Sequence, residues 1–183
     1  MFETQTLTPR QIVVLAGGDS SERDISLVSG GCVIEALRSR GHECRMVDPS
    51  RTPLKEVDWT QVDACFIALH GGAGEDGSIQ EELRRLNVHY TGSGPTASRL
   101  AMSKSASKER FTQVGVPTLP YVLFHDSETM NDVAGCIGSL GYPIVIKPDG
   151  QGSSLGVAVA DHPGRLQHAL VEANRYESFL IAE

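Results

Sequence analysis

The sequence is poor in sulfur and in aromatic rings, and it lacks any basic block. Its four cysteines, Cys32, Cys44, Cys65 and Cys136, form no Cys-x-x-Cys pair, which excludes the commonest zinc and dithiol patterns. Cys32 and Cys65 sit in apolar segments and read as small buried thiols in a reduced, cytoplasmic setting. Aromatic residues are only 5% of the chain, and the single tryptophan, Trp59, suits packing better than ligand stacking. The 16 Lys and Arg against 23 Asp and Glu give a charge of −7, so no electrostatic footprint for nucleic acid is expected. No apolar run is long enough to cross a bilayer, and residues 1–10 are polar, so neither a membrane span nor a signal peptide is expected. Repeats and low-complexity tracts are missing too. What is present is a 183-residue chain with 40% apolar residues, enough to bury one core or two small ones.

The chain is organised around residues 64–83. The apolar run Ala64–Leu69 has the character of a parallel strand buried on both faces. It breaks into His70-Gly71-Gly72-Ala73-Gly74-Glu75-Asp76-Gly77, where polar side chains stand among four glycines at a strand's carboxyl end. That end of an open α/β sheet is where ligands bind. Ser78 and Glu81 have the spacing of a capping box for the helix that follows. An isolated loop of this kind is more often a decorated turn, but two similar loops occur elsewhere in the chain.

The first follows the strand Ile12–Ala16: Gly17-Gly18-Asp19-Ser20-Ser21-Glu22-Arg23-Asp24. Leu27, Ile34 and Leu37 then mark a helix that closes at Gly41. This loop lacks both the dinucleotide glycine pattern and the P-loop lysine. Glu22 near the helix start either complements the helix dipole, a surface effect of roughly 0.3–1 kcal/mol, or holds a cationic amine. A second strand spans Glu43–Val47, a brief strand Val88–Thr91, and a turn Gly92–Pro95. Helices are expected over 96–102 and 105–113, with Lys104 and Lys108 one helical turn apart. An extended stretch ends at Phe124, and Met130, Val133, Ala134, Ile137 and Leu140 mark an amphipathic helix.

The other loop follows the strand Pro143–Lys147. Residues Asp149-Gly150-Gln151-Gly152-Ser153-Ser154-Leu155-Gly156 precede a strand at Val157–Ala160. Eight residues exceed the commonest hairpin turns. Free backbone N–H groups and two hydroxyls suit a flap over phosphates, with Lys147 able to neutralise charge. A last helix covers 166–173, and a strand begins at Ser178 and runs to Glu183. Because the chain ends in an apolar strand, it reads as part of something larger. That strand, if left at a cut edge, would promote self-association.

Four segments, GGDSSERDISLVSG (17–30), IALHGGAGEDGSIQ (67–80), YTGSGPTASRLAMSK (90–104) and YPIVIKPDGQGSSLGV (142–157), together resemble the bacterial D-alanine–D-alanine ligases of the ATP-grasp fold. The resemblance implies an α/β architecture. Residues 1–102 would form an N-terminal, Rossmann-like parallel-sheet domain with helices on both faces, and 103–183 the first α+β part of an ATP-grasp domain. It implies ligation of two D-alanines with ATP and Mg2+ for peptidoglycan synthesis, through an acyl phosphate, in the cytoplasm and with a dimer possible. By the resemblance Glu22 and Ser153 are catalytic, and Glu22, His70 and Ser153 bind substrate. Lys104, Lys147, Gly152, Ser153, Ser154, Gly156 and Glu183 would bind the nucleotide. The family's magnesium ligands would lie beyond Glu183, so no metal site is assigned and turnover by these residues alone is not expected. Asp19 and Ser103 depart from the pattern, which more often has threonine and aspartate there. A D-alanyl-D-lactate or D-alanyl-D-serine ligase, and a non-catalytic D-amino-acid-binding module, stay open as alternatives.

Overall fold

The computed structural model describes residues 8–128 and 130–183. The polar residues read at the extreme N-terminus, through Leu7, and the side chain of Met130 lie outside that description. The chain divides into two compact units, one up to Arg99 and one from Leu100 to Glu183.

In the first unit β1 (Gln11–Leu15), β2 (Glu43–Val47) and β3 (Ala64–Ile67) form a parallel sheet in the order β2-β1-β3. The central strand is apolar because both its faces are covered. Val13 and Leu15 pack with Leu54, Ile79, Leu83 and Val88, on the side of α2 (Ser78–Arg85). Val14 and the following Ala16 pack with Ile34, Cys44 and Ala68, on the side of α1 (Arg23–Ser39). The expected helices on both faces are therefore present. Leu15 pairs with both Val47 and Ile67, so the three strands end level and their following loops share one edge. Helix α1 approaches the sheet closely because residue 30 is glycine; a Cβ there would come within 2.5 Å of the Ala16 Cβ.

Several local expectations need correction. The strand expected through Leu69 ends at Ile67, although Ala68 and Leu69 stay buried. The strand expected at 88–91 is reduced to a single bridge between Cys65 and Tyr90. Its ladder stops because the Thr91 hydroxyl, rather than a backbone carbonyl, accepts the Ile67 N–H at 3.1 Å. The capping box does not form. Gly77, left-handed at φ 90°, precedes α2, the Asp76 carboxylate accepts from Ser78 N at 2.8 Å, and Glu81 pairs with Arg84 and Arg85. Pro95, expected in a turn, opens α3 (Pro95–Met102), where its missing N–H costs nothing. Cys65 and Cys44 are buried, but Cys32 is exposed, because α1 buries Ser26, Gly30 and Ile34 instead.

The second unit contains α4 (Lys104–Gln113), β4 (Val122–His125), α5 (Met130–Ile137), β5 (Ile144–Pro148), β6 (Ala158–Ala160), α6 (Leu166–Asn174) and β7 (Phe179–Ala182). Its sheet has the order β4-β7-β5-β6 and every neighbouring pair is antiparallel. Ile144, Ile146, Leu180 and Ala182 face Val133, Ile137, Leu166 and Ala169 of α5 and α6. The period of two along β5 and β7 then turns Lys147, Ile181 and Glu183 to the opposite face. The last strand is not an exposed edge, as the sequence suggested. It is paired on both sides, Ala182 standing opposite both Val122 and Ile146, so the expected self-association through it loses its basis.

Two adjacent glycines give a test of the α1 packing. Gly31→Ala, with no heavy atom within 4 Å of the new Cβ, should stabilise the chain by up to about 1 kcal/mol through helix propensity. Gly30→Ala should reverse the sign and destabilise by about 1–3 kcal/mol, because the methyl overpacks against Ala16. Urea titrations of both variants measure the difference.

Candidate functional site

The level strand ends of the first unit deliver three loops to one edge, and these border a cleft of about 410 Å³. Gly17, Gly18, Asp19, Leu69, His70 and Gly72 are among its lining residues. Its walls are backbone held by side chains. Ser26, fully buried, accepts from Gly17 N at 2.9 Å and donates to Ala68 O at 2.7 Å, tying the loop after β1 to the end of β3. Asp48, just beyond β2, accepts from Gly18 N at 3.0 Å and takes two bonds from Arg23, at 3.2 and 2.5 Å. The Arg23 guanidinium holds the Asp48 carboxyl far below the usual range, burial opposing it and the Gly18 and Ser50 bonds helping. Gly17 must be glycine here: its φ is +97°, and a Cβ would lie 2.7 Å from the Asp48 carboxylate.

His70 is half-buried at this edge. Its Nε2 is 3.0 Å from the Ser29 hydroxyl, and its carbonyl accepts from the Ser20 hydroxyl at 2.6 Å. Glu22 precedes the first turn of α1 and its carbonyl accepts from Ser26 N at 3.0 Å. Its carboxylate lies over the residue after His70: a Cβ on Gly71 would stand 2.6 Å from Glu22 Oε2. Glu22 and His70 thus come together in the first unit. Glu22, Ser26 and Ser29 share one face of α1 at the i, i+4, i+7 spacing, a signal present in the sequence and not used there.

All the other candidates, Lys104, Lys147, Gly152, Ser153, Ser154, Gly156 and Glu183, lie in the second unit. Lys104 opens α4 and its ammonium donates to three carbonyls, Pro148 at 2.9 Å, Asp149 at 3.1 Å and Gln151 at 2.6 Å. Burial and then the neighbouring Lys147 ammonium push the Lys104 amine below its ordinary value. Lys147 pairs with Glu183. The same carboxylate takes Lys108 at 2.5 Å, and Lys108 also donates to Thr118 Oγ1 at 3.0 Å and Leu119 O at 3.2 Å. Burial alone would raise the Glu183 carboxyl, but the hydrogen bonds from Lys108 and Lys147 outweigh it and hold the group below its usual range.

Gly152, Ser153 and Ser154 are exposed. Ser153 and Ser154 both adopt left-handed backbone, φ 53° and 61°, uncommon for residues with a Cβ. Gly156, φ +69°, is required by packing, since a Cβ would lie 2.8 Å from both Pro148 and Tyr176. Sequence reasoning missed the supports of this loop. Asp149 is buried against the start of α4, and Glu177 accepts from Gly150 N at 2.7 Å. Ser103, a departure from the family pattern, caps α4 by accepting from Ala106 N at 3.1 Å. Among the described residues, no group of three or more His, Cys, Asp or Glu is placed to hold a metal ion, and no helix is long and apolar enough to cross a membrane.

The lysine-carboxylate cluster carries a pH prediction. A carboxyl whose folded value is lowered stabilises fully above its unfolded value, near 4.5 for Glu183, and that contribution is lost as pH falls through the folded value. Glu183→Gln should cost about 3 kcal/mol at neutral pH, because it leaves two largely buried ammonium groups without a counter-charge. The gap between wild type and variant should narrow below about pH 4; chemical denaturation at pH 7 and pH 3 measures it.

Comparisons with known proteins point one way. The description "D-ala D-ala ligase N-terminus" matches residues 48–93 and "D-ala D-ala ligase C-terminus" matches residues 111–183. A D-alanine–D-alanine ligase of Geobacter sulfurreducens is 42% identical over 177 residues, which are 97% of this chain and 55% of the relative. One from Alkalilimnicola ehrlichii is 42% identical over 183 residues, 100% of this chain and 57% of the relative. The crystal structure of the Bacillus anthracis ligase superposes with a TM-score of 0.82 at 29% identity, over 95% of this chain and 57% of that one. The same ligase complexed with ATP gives 0.80 at 28% identity, over 95% and 58% of the two chains. The chain therefore spans about half the length of the relatives it matches, and it has their fold. It belongs to the D-alanine–D-alanine ligase family.

Proposed function

We propose that these residues form the D-alanine-binding edge and the phosphate-facing part of an ATP-dependent ligase that joins two D-alanines for peptidoglycan precursor synthesis. The observation that carries the reading is the Glu22–Gly71–His70 arrangement at the strand ends. A carboxylate there suits the ammonium of an amino acid, and an adjacent imidazole suits its carboxylate or the anion that develops from it. ATP supplies the phosphoryl group that turns a poor electrophile, the first D-alanine's carboxylate, into an acyl phosphate open to the second amine.

The chain's own residues bind and orient. Glu22 holds the ammonium. Ser29 fixes the His70 ring from Nε2, and Ser20 fixes its backbone. Ser153 offers its hydroxyl to the substrate. Lys104 and Lys147 offset phosphate charge, and Gly152, Ser153, Ser154 and Gly156 present hydroxyls and N–H groups to phosphate oxygens. The fit to a nucleotide rests on two observations: ammonium groups at the root of this loop, and a loop whose serines hold left-handed backbone. Glu183 reads the adenine side. Magnesium is assigned to groups outside residues 1–183.

The test is ADP release dependent on D-alanine and magnesium, measured on the 183-residue chain and on a version extended to the length of its relatives. The extended protein should release ADP and form D-alanyl-D-alanine, and the 183-residue chain should not turn over. Release only when D-lactate or D-serine accompanies D-alanine would replace the second substrate. No response to D-alanine in the extended protein would overturn the reading. In the active protein Gly71→Ala, which drives a methyl into the Glu22 carboxylate, should raise the KM for D-alanine about 10- to 100-fold, the value of a charged hydrogen bond.

A further inference from the structure

Asp149, 8% exposed, and Lys108 are the buried charged residues among the described ones. The Asp149 Oδ1 accepts from Ser105 N at 2.7 Å, and its Oδ2 accepts from the Ser103 hydroxyl at 2.7 Å and the Ser105 hydroxyl at 3.0 Å. Its own carbonyl accepts from Lys104 N and from Lys104 Nζ, both at 3.1 Å. Lys104 is thus bracketed: the residues on either side of it are gripped by the Asp149 side chain, and both its nitrogens are bonded to the Asp149 backbone.

We propose that Asp149 is the positioning residue for Lys104, its carboxylate locking the first turn of α4 so that the lysine ammonium stays beneath the root of the glycine-serine loop. Three donors converge on the carboxylate, which has acceptors only and matches them without rearrangement. The negative charge also complements the start of α4. A free lysine stem carries a large rotamer entropy. Fixing the backbone on both sides of Lys104 removes the largest source of displacement of that stem, and the three carbonyls at its tip fix the other end.

The charged groups facing the Lys104 ammonium are Lys147 of β5, Asp149 itself, Glu177 ahead of β7 and Glu183 beyond it. Burial and Lys147 favour the neutral amine, whereas the three carboxylates favour the ammonium. Removing one carboxylate must therefore move the Lys104 titration to lower pH. The two ends of the Ser103–Asp149 bond are 2.7 Å apart, so a carboxylate moved from 149 to 103 stays beside the same Ser105 hydroxyl. The role should be transferable across that bond.

The experiment is a swap cycle on the 183-residue chain: Asp149→Ser, Ser103→Asp and the two together, with Asp149→Asn as the variant closest in shape. Lys104 is followed by NMR titration of its side-chain carbon and nitrogen resonances, assigned with Lys104→Arg. Thermal unfolding is measured in parallel. Asp149→Ser and Asp149→Asn should lower the Lys104 midpoint by about 0.5–1 pH unit and lower the melting temperature. Ser103→Asp alone should also lower the melting temperature, because two carboxylates then meet. The double variant should recover at least half of both losses relative to Asp149→Ser. A Lys104 midpoint unchanged in the folded Asp149→Asn chain overturns the proposal, as does a double variant whose losses simply add. The functional consequence rests on the reading of Lys104 as phosphate-facing, but neither measurement involves nucleotide, so failure of that reading leaves this outcome intact.

Discussion

Backbone taken out of water must find partners, and this requirement governs every loop that carries the candidate site. Strand ends and glycine turns expose N–H and C=O groups that no ladder satisfies, and each left unpaired in the interior costs about 1–3 kcal/mol. Side chains answer the requirement one by one. Ser26 serves Gly17 and Ala68, Asp48 serves Gly18, and Gln80 serves Gly74 at 2.8 Å. Lys104 serves three carbonyls, Asp149 the first turn of α4, and Glu177 the N–H of Gly150. Loops of this composition would be mobile if solvated. Here they are pinned at their roots, and that is what allows glycine-rich backbone to hold a defined shape.

The two sheets place function differently for a geometric reason. In the first unit β1 buries Val13, Val14 and Leu15 against both faces, so none of these side chains can meet a ligand. Function has to sit in the loops beyond the strand ends, and the level register gathers those loops on one edge. In the second unit the helices α5 and α6 pack with one alternating set of side chains. The other set is free to carry charge, and Lys147 and Glu183 are delivered there by the period of two along β5 and β7. A parallel sheet and an antiparallel sheet thus contribute polar residues by opposite means.

What the sequence revealed follows from which interactions are local. Strand, glycine loop and helix were legible at 12–41 and again at 64–86, because apolar runs and glycines act over a few residues. Glu22, His70, Lys104 and Lys147 stand out as candidates only through ordered motifs. The supports were not: Asp48 serves a loop 30 residues away and Asp149 a helix 44 residues away, and nothing in the local pattern marks such partners. Two errors have the same origin. The Ser78–Glu81 spacing was right for a capping box, but Asp76 reached Ser78 N first and the arginines took Glu81. The strand at 179–182 seemed an edge because it is last in the chain, yet strand order in a sheet need not follow order in the sequence.

Charge at the second unit sets a condition on any anion that meets it. Lys147 and Lys108 share Glu183, and Lys104 spends its three donors on carbonyls. None of the three ammonium groups waits without a partner, so an anion gains only the difference between its own attraction and the pairs it displaces. A single carboxylate or chloride offers little over Glu183, whereas a polyanion replaces one carboxylate with several oxygens at once. An anion would need multiple charge to compete with these pairs. A Glu183 carboxylate displaced from Lys147 would keep Lys108 as its counter-charge, because Lys108 is also tied to Thr118 and Leu119 and lies 5.4 Å from the Tyr121 ring centre. Lys108 thus lets Lys147 change partners without leaving a buried carboxylate alone, a division of labour that two lysines could not achieve with one acid between them unless only one of the two was anchored.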